Sequence, residues 1–274
     1  YKGQKMRIPL ARVPTMAEVF GVDQYIHRKA FSTITDGEFS FKAPSQPVRL
    51  FDTPPKFGGK VAELGAHTSD WISLNSHELR NKEDTSIKPS ELPLNGLTII
   101  DLGMGWAGPL AARNLADLGA TVIKVEGCVR FDWFRNWEAS QEWIDDDGAE
   151  KAINFIYVNR NKLDVTLDFE QQAGRELLLK LIGEADAVIE NYSGGVLPKL
   201  KLEYESLKKV NPELVMVSMP AFGSTGPWSA FRAYGSTVEQ AAGLPHLQGS
   251  EDQPPTMLHV AFGDAIAGLY GSSA

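Results

Sequence analysis

A chain of 274 residues, 43% hydrophobic and 23% charged, has the composition of a soluble globular protein with one large domain or two small ones. No apolar run approaches the ~20 residues of a membrane span, and a net charge of −8 argues against nucleic acid as a general partner while leaving room for a local basic pocket. The single cysteine, Cys128, excludes an internal disulfide, and the opening Tyr1-Lys2-Gly3-Gln4 carries no secretory pattern, so a reducing cytoplasm is the expected compartment.

Residues 1–75 read unlike the rest. Thr15-Met16-Ala17-Glu18 has capping-box spacing and opens a helix expected to run through Arg28. Two short β-type runs follow, FSTIT and EFSFKA, with Asp36-Gly37 between them as a hairpin signal. Pro44, Pro47, Pro54 and Pro55 then interrupt regular structure. Residues 76–93, SHELRNKEDTSIKPSELP, are polar and charged and read as a linker.

From Leu94 the hydrophobic period switches between 2 and 3.6. LTIID is a buried-strand run, GMGWAG a glycine-rich turn, and Pro109 fits the first position of a helix that ends at Gly119. TVIKVE is a second strand, completing a βαβ unit. KLDVTLD, ADAVIENY and LVMVSMP are further strands, with the helical pattern QQAGRELLLKLIGEA between the first two. The expected fold is α/β: a Rossmann-like, doubly wound, mostly parallel sheet. Ligands of such sheets bind at the carboxyl ends of the strands.

Gly103-Met104-Gly105-Trp106-Ala107-Gly108 matches G-x-G-x-x-G, and Glu126 ends the next strand roughly 20 residues on. Alone, this pattern supports an NAD-dependent dehydrogenase. A tight βα turn also favours glycine for its own sake.

Four segments in order resemble the class III CoA-transferases of CaiB/BaiF type. That family includes formyl-CoA transferase, carnitine CoA-transferase and α-methylacyl-CoA racemase. The segments are LNGLTIIDLGMGWAGPLAARNLADLGATVIKVE, then VNRNKLDVTLD, then ADAVIENYSGGVLPKLKLEYESLKKVNPELVMVSMPAFGSTGP, then PPTMLHVAFGDAIAGLYG. They run from Leu94 to Gly271 with little interruption.

The resemblance implies that Asp264 is the catalytic nucleophile. An aspartate of this family attacks an acyl-CoA thioester, giving an acyl-aspartyl anhydride and CoA thiolate. The thiolate then attacks the anhydride, releases the first acid and leaves an aspartyl-CoA thioester. The second acid enters by the reverse steps. Covalent catalysis of this kind divides one hard acyl exchange into easier ones. Gly263-Asp264-Ala265 before a helical AIAGLY also reads as a helix N-cap, which is compatible.

The resemblance further places CoA contacts at Met104, Ala107, Lys162, Asn191, Tyr192 and Lys199, with the two lysines pairing with phosphates. It places substrate contacts at Trp106 and Tyr234. The residue after Glu126 is often basic in the family; here it is Gly127. CoA or an acyl-CoA is the implied cosubstrate, with no metal, and a small carboxylate the second substrate. The implied assembly is a homodimer or an intramolecular pairing of fused modules.

ARVPTMAEVFGVDQYIHRKAF and PVRLFDTPPKFGGKVAELGAHT resemble the segments that close a class III polypeptide. The expected organisation is therefore 1–75 as the C-terminal segment of an upstream module, 76–93 as linker, and 94–274 as the N-terminal Rossmann-like part of a second module. A piece from the middle of a tandem fusion is the simplest account, and a circular permutation the alternative. The chain is similar to the second module of tandem members that load dimethylsulfoniopropionate (DMSP) onto CoA and eliminate dimethyl sulfide.

Trp106 stands in the turn, and Phe131, Trp133, Phe134, Trp137 and Trp143 follow closely. Aromatic faces attract sulfonium and quaternary ammonium groups, which also fits carnitine or betaine. Trp133 and Trp137 at i, i+4 read equally as a packing stripe, so Trp106 is the expected substrate contact. A lyase step needs a base, and Glu126, Asp132, Glu239 and His259 are the candidates.

Overall fold

The computed structural model describes every residue except Tyr1, 57–61, 74–91, 128, 129, 137, 139, 258 and 259. Most of the expected linker, together with Trp137 and His259, lies outside the described residues.

The N-terminal signals fold as their chemistry dictates. The Glu18 N–H donates to Thr15 Oγ1 at 3.3 Å, and Glu18 Oε2 accepts the Thr15 N–H at 2.9 Å, closing the capping box. The single helix expected through Arg28 is instead two, α1 (Met16–Val19) and α2 (Asp23–His27). Gly21 lies between them, and glycine is among the poorest helix formers. Strands β1 (Phe31–Asp36) and β2 (Phe39–Pro44) pair antiparallel as the expected hairpin.

The main sheet is fully parallel. Its strands are β3 (Thr98–Asp101), β4 (Thr121–Glu126), β5 (Lys162–Thr166), β6 (Ala187–Glu190) and β7 (Val215–Ser218), in the order β5-β4-β3-β6-β7. Helices α3 (Ala107–Asp117), α4 (Ile153–Asn159) and α5 (Gln172–Gly183) join the strands in the first part. Further on come α6 (Gly235–Ala241) and α7 (Phe262–Ser272).

Alternation along the strands covers both faces, as a parallel sheet requires. Ile100, Val125 and Val188 pack with Leu178 and Ile182 of α5. Ile99, Val122 and Ile189 point the other way, onto Ala111, Ala112 and Ala116 of α3. The doubly wound α/β fold read from the sequence is thus the observed one. α3 begins two residues before the expected point, making Pro109 its third residue. A proline fits there because first-turn N–H groups have no intrahelical partner.

The order places β3 and β6 side by side at the centre, where the winding reverses. The loops leaving their carboxyl ends face the site that such a switch point creates. α7, carrying Asp264, lies along α3 on that side of the molecule.

The N-terminal segment is part of this body. Gln24 is buried, and its Nε2 donates to Phe222 O at 2.6 Å and Thr225 O at 2.8 Å. Its Oε1 accepts the Trp228 N–H at 2.9 Å. The Tyr25 hydroxyl donates to Ala241 O, and Gln4 bonds both backbone groups of Arg232, all at 2.8 Å. One side chain therefore satisfies three backbone groups of residues 222–228, the stretch that leads into α6. Replacing Gln24 by Ala is expected to lower stability by about 2–4 kcal/mol, because those groups are left buried without partners. Gln4→Ala, whose bonds are exposed, should cost much less. Urea unfolding of the two variants measures the difference.

Candidate active site

The glycine-rich turn is held from below by buried charges. Asp101 ends β3, Lys124 is on β4 and Lys162 starts β5. Lys162 Nζ meets Asp101 Oδ2 at 2.7 Å, and also Pro109 O and Asn159 Oδ1, both at 2.8 Å. Lys124 Nζ donates to Gly103 O at 2.8 Å and pairs with Asp132 Oδ2 at 3.1 Å. Asp132 also accepts the N–H groups of Gly105 and Phe134, each at 3.0 Å. Asp101 Oδ1 accepts the Gly103 N–H at 2.7 Å. Burial works to raise the Asp101 carboxyl, but Lys162 and Lys124 overcome it and hold it below the ordinary aspartate value. Burial works to lower the Lys124 amine, and Asp101, Asp132 and Glu126 push it above its ordinary value.

A second clamp closes the turn from β6. Asn191 Oδ1 accepts the Met104 N–H at 2.8 Å, and its Nδ2 donates to Met104 O at 2.9 Å. The N–H groups of residues 103, 104 and 105 thus all go to protein side chains. None of the three is left for a pyrophosphate. Glu126, which a dinucleotide would need on its ribose, receives the Asp132 N–H at 2.6 Å and the Arg135 Nε–H at 2.8 Å. The dinucleotide reading fails on this geometry. Arg135 also reaches Asp164 at 3.3 Å, whose carboxyl burial and Glu126 push up to about 6.

Gly105 has φ +73, and a Cβ there would lie inside the Trp133 indole. Glycine lets that ring close over the turn. Trp133 stacks edge-on with Phe134 at 4.5 Å and with Tyr234 at 6.0 Å. The aromatic row therefore runs from the turn to Tyr234, which directly precedes α6.

Asp264 lies at the far end of this row. It is the third residue of α7; Ala261, without a side-chain bond, holds the N-cap place that the sequence suggested for the aspartate. Asp264 Oδ2 accepts the N–H of Gly235, the first residue of α6, at 2.8 Å. A Cβ on Gly235 would sit 2.8 Å from that oxygen and 2.7 Å from the Asp264 nitrogen. Two helix beginnings thus meet at one carboxylate. Burial raises the Asp264 carboxyl above its ordinary value, the Gly235 bond lowers it, and Glu239 raises it further.

The other sequence-derived residues divide. Tyr234 is 55% exposed and directly precedes Gly235, the partner of Asp264. Lys199 is exposed on the short helix Val196–Leu200. Lys162 requires correction: its side chain is 2% exposed and its three protons are spent on Asp101, Pro109 and Asn159, leaving none for a CoA phosphate. Asn191 and Met104 bind each other, and Ala107 is buried. Tyr192 packs against the Ile100–Val188 core, and burial pushes its hydroxyl up. Trp106 packs on the Leu110–Phe155 cluster with its indole Nε1 buried and without a partner. In that row Trp133, at 42% exposure, is open to solvent together with Tyr234. Sequence reading missed Asp101, Lys124 and Gly235. A lysine amid the apolar TVIKVE was the available signal for the buried network.

Residues 94–274 match the model of CoA-transferase family III. A succinate–glutarate CoA-transferase of Agrobacterium fabrum is 37% identical over 182 residues, 66% of this chain and 46% of that protein. A probable CoA-transferase of Mycobacterium tuberculosis is 30% identical over 267 residues, 96% of this chain and 32% of that protein. Among solved structures, a CAIB/BAIF family protein from Brucella suis is 38% identical with a TM-score of 0.59, over 67% of this chain and 48% of that one. The chain spans less than half the length of each of these relatives.

Lys162→Met would strand the buried Asp101 carboxylate. It is expected to destabilise the fold by about 3–5 kcal/mol in chemical denaturation, with Lys199→Met close to neutral. Undiminished stability in the Lys162 variant, together with weakened CoA binding, would restore the phosphate role.

Proposed function

This chain belongs to CoA-transferase family III, and from that premise we propose that Asp264 is the carboxylate through which CoA passes between two acids. The observation that carries the reading is the placement of Asp264 Oδ2 on the Gly235 N–H, where two helices begin. Helix beginnings favour a carboxylate, while partial burial keeps it more basic than an exposed aspartate.

Asp264 attacks the thioester carbonyl, the carbon–sulfur bond breaks, and the thiolate leaves with its electron pair. An acyl-aspartyl anhydride remains. The thiolate attacks the aspartyl carbonyl of that anhydride and expels the first acid as its carboxylate. The second acid attacks the resulting aspartyl thioester, and the thiolate returns to the new acyl group. No proton need be moved in the exchange, so an ionised Asp264 is the requirement.

For the acceptor we propose a carboxylate bearing an onium cation, DMSP first, with carnitine and betaine as the alternatives. Trp133 and Tyr234 are exposed and in ring contact, and Tyr234 directly precedes Gly235. Aromatic faces hold onium groups with roughly 0.5–2 kcal/mol per contact. With DMSP as its thioester, a general base takes the α-proton, the β-carbon–sulfur bond breaks with its electron pair leaving on dimethyl sulfide, and an acryloyl thioester remains. Glu126 and Asp132 are engaged by Arg135, Lys124 and backbone N–H groups and do not serve as that base.

Residues 1–75 serve, in this reading, as the closing segment of an upstream module, and 76–93 as the linker to the module that starts at 94. Two observations support it. The M. tuberculosis relative aligns with 96% of the chain within a third of its own length. Gln4, Gln24 and Tyr25 bind residues 222–241 of the following module.

In the full-length enzyme with acetyl-CoA and an acid acceptor, Asp264→Ala should reduce exchange by on the order of a thousandfold or more. Hydroxylamine should trap an acyl group at Asp264 in the wild type and none in the variant. The acid limb of kcat/KM should lie above the ~3.9 of an ordinary aspartate, activity falling as pH drops through it. Headspace dimethyl sulfide tests DMSP; turnover of carnitine or betaine without a volatile product would remove DMSP and keep the transferase.

A further inference from the structure

Glu239 is a carboxylate that α6 does not need for packing. It is only 3% exposed. Its Oε1 accepts the Gly263 N–H at 3.3 Å, and its Oε2 is buried with no hydrogen-bond partner. A buried acceptor left unpaired is unfavourable, more so when charged.

Gly235 and Glu239 are four residues apart, on one face of α6. Gly235 gives its N–H to Asp264, and Glu239 takes the N–H of Gly263. Adjacent residues in the first turn of α7 are thus held by bonds running in opposite senses. The Gly263 N–H has no partner within its own helix, and Ala261 has no side-chain oxygen to cap it. Glu239 supplies that missing acceptor from the neighbouring helix. The two backbones can come this close because both Gly235 and Gly263 lack side chains.

We propose that Glu239 positions the nucleophile, fixing the α7 turn through the Gly263 N–H and setting its carboxyl group beside Asp264. This rests on Asp264 being the acyl acceptor. The like charge, added to burial, keeps Asp264 more basic and therefore a stronger nucleophile. The other charged groups on helices packed against α7 are Arg113 and Asp117 of α3, which pair with each other at 3.6 Å. Arg113 also lies over the Tyr157 ring. Its neighbour Asn114 bonds Ser272, at the opposite end of α7 from Asp264. Among the described residues, Glu239 is the charged side chain that acts on Asp264.

The test uses the full-length enzyme and three variants. Glu239→Gln keeps the shape and an acceptor for Gly263 but removes the charge. Glu239→Leu removes both, and Asp264→Ala reports on the underlying reading. For Glu239→Gln we expect wild-type thermal stability, kcat lower by roughly ten- to a hundredfold and KM for acyl-CoA little changed. The acid limb of its kcat/KM should move to lower pH by roughly half to one unit. Glu239→Leu should lose more activity than Glu239→Gln; if it fails to fold, Glu239→Gln still decides. A Glu239→Gln enzyme with wild-type kcat and an unmoved acid limb overturns the proposal, provided Asp264→Ala is inactive. Exchange surviving in Asp264→Ala would instead remove the nucleophile reading itself.

Discussion

Two buried carboxylates hold the glycine-rich turn, and the rest of the site is built outward from it. Asp101 and Asp132 accept the N–H groups of Gly103 and Gly105, taking the role an anion plays in nucleotide-binding turns. Lys162 and Lys124 balance them from β5 and β4. Such pairs do not contribute much net stability, because desolvating four charges is expensive. Their effect is on specificity. Asp101, Lys124 and Lys162 sit on three neighbouring strands, so the ends of those strands and the turn are placed together. A turn held this way keeps Gly105 under Trp133 and carries the aromatic row toward Tyr234.

Asp264, the proposed nucleophile, is placed by a different device, close approach of backbones. Gly235 and Gly263 allow the first turns of α6 and α7 to meet, and two N–H bonds of opposite sense lock them. Behind α6, the stretch 222–228 is satisfied by Gln24, roughly two hundred residues earlier in the chain. Geometry at Asp264 therefore depends on a segment that composition alone would set apart as a separate piece. That segment stays attached because its amide groups have no other partners in a buried contact.

Much of this was readable from the chain. Period switching gave every strand of the parallel sheet and the helices α3 and α5, but not α4, since alternate residues must cover both faces of a buried sheet. Family resemblance pointed to Asp264 and Tyr234, which the fold brings to one end of α6. One placement from resemblance does not fit the geometry: a lysine in a phosphate-contact position is spent inside the protein at Lys162. Residue type tells which groups a side chain can bind, and burial decides which of them it reaches.

The sequence alone determined the α/β winding and the position of the glycine turn, because these follow from local periodicity and short contiguous motifs; family resemblance added Asp264 as the proposed reactive carboxylate. Tertiary structure alone decided the partners: that Lys162 neutralises Asp101, that Gln24 braces the approach to α6, and that Glu239 caps a helix other than its own. Each of those bonds joins residues from separate elements. No local pattern encodes them, because they exist only once burial has removed water as the competing partner.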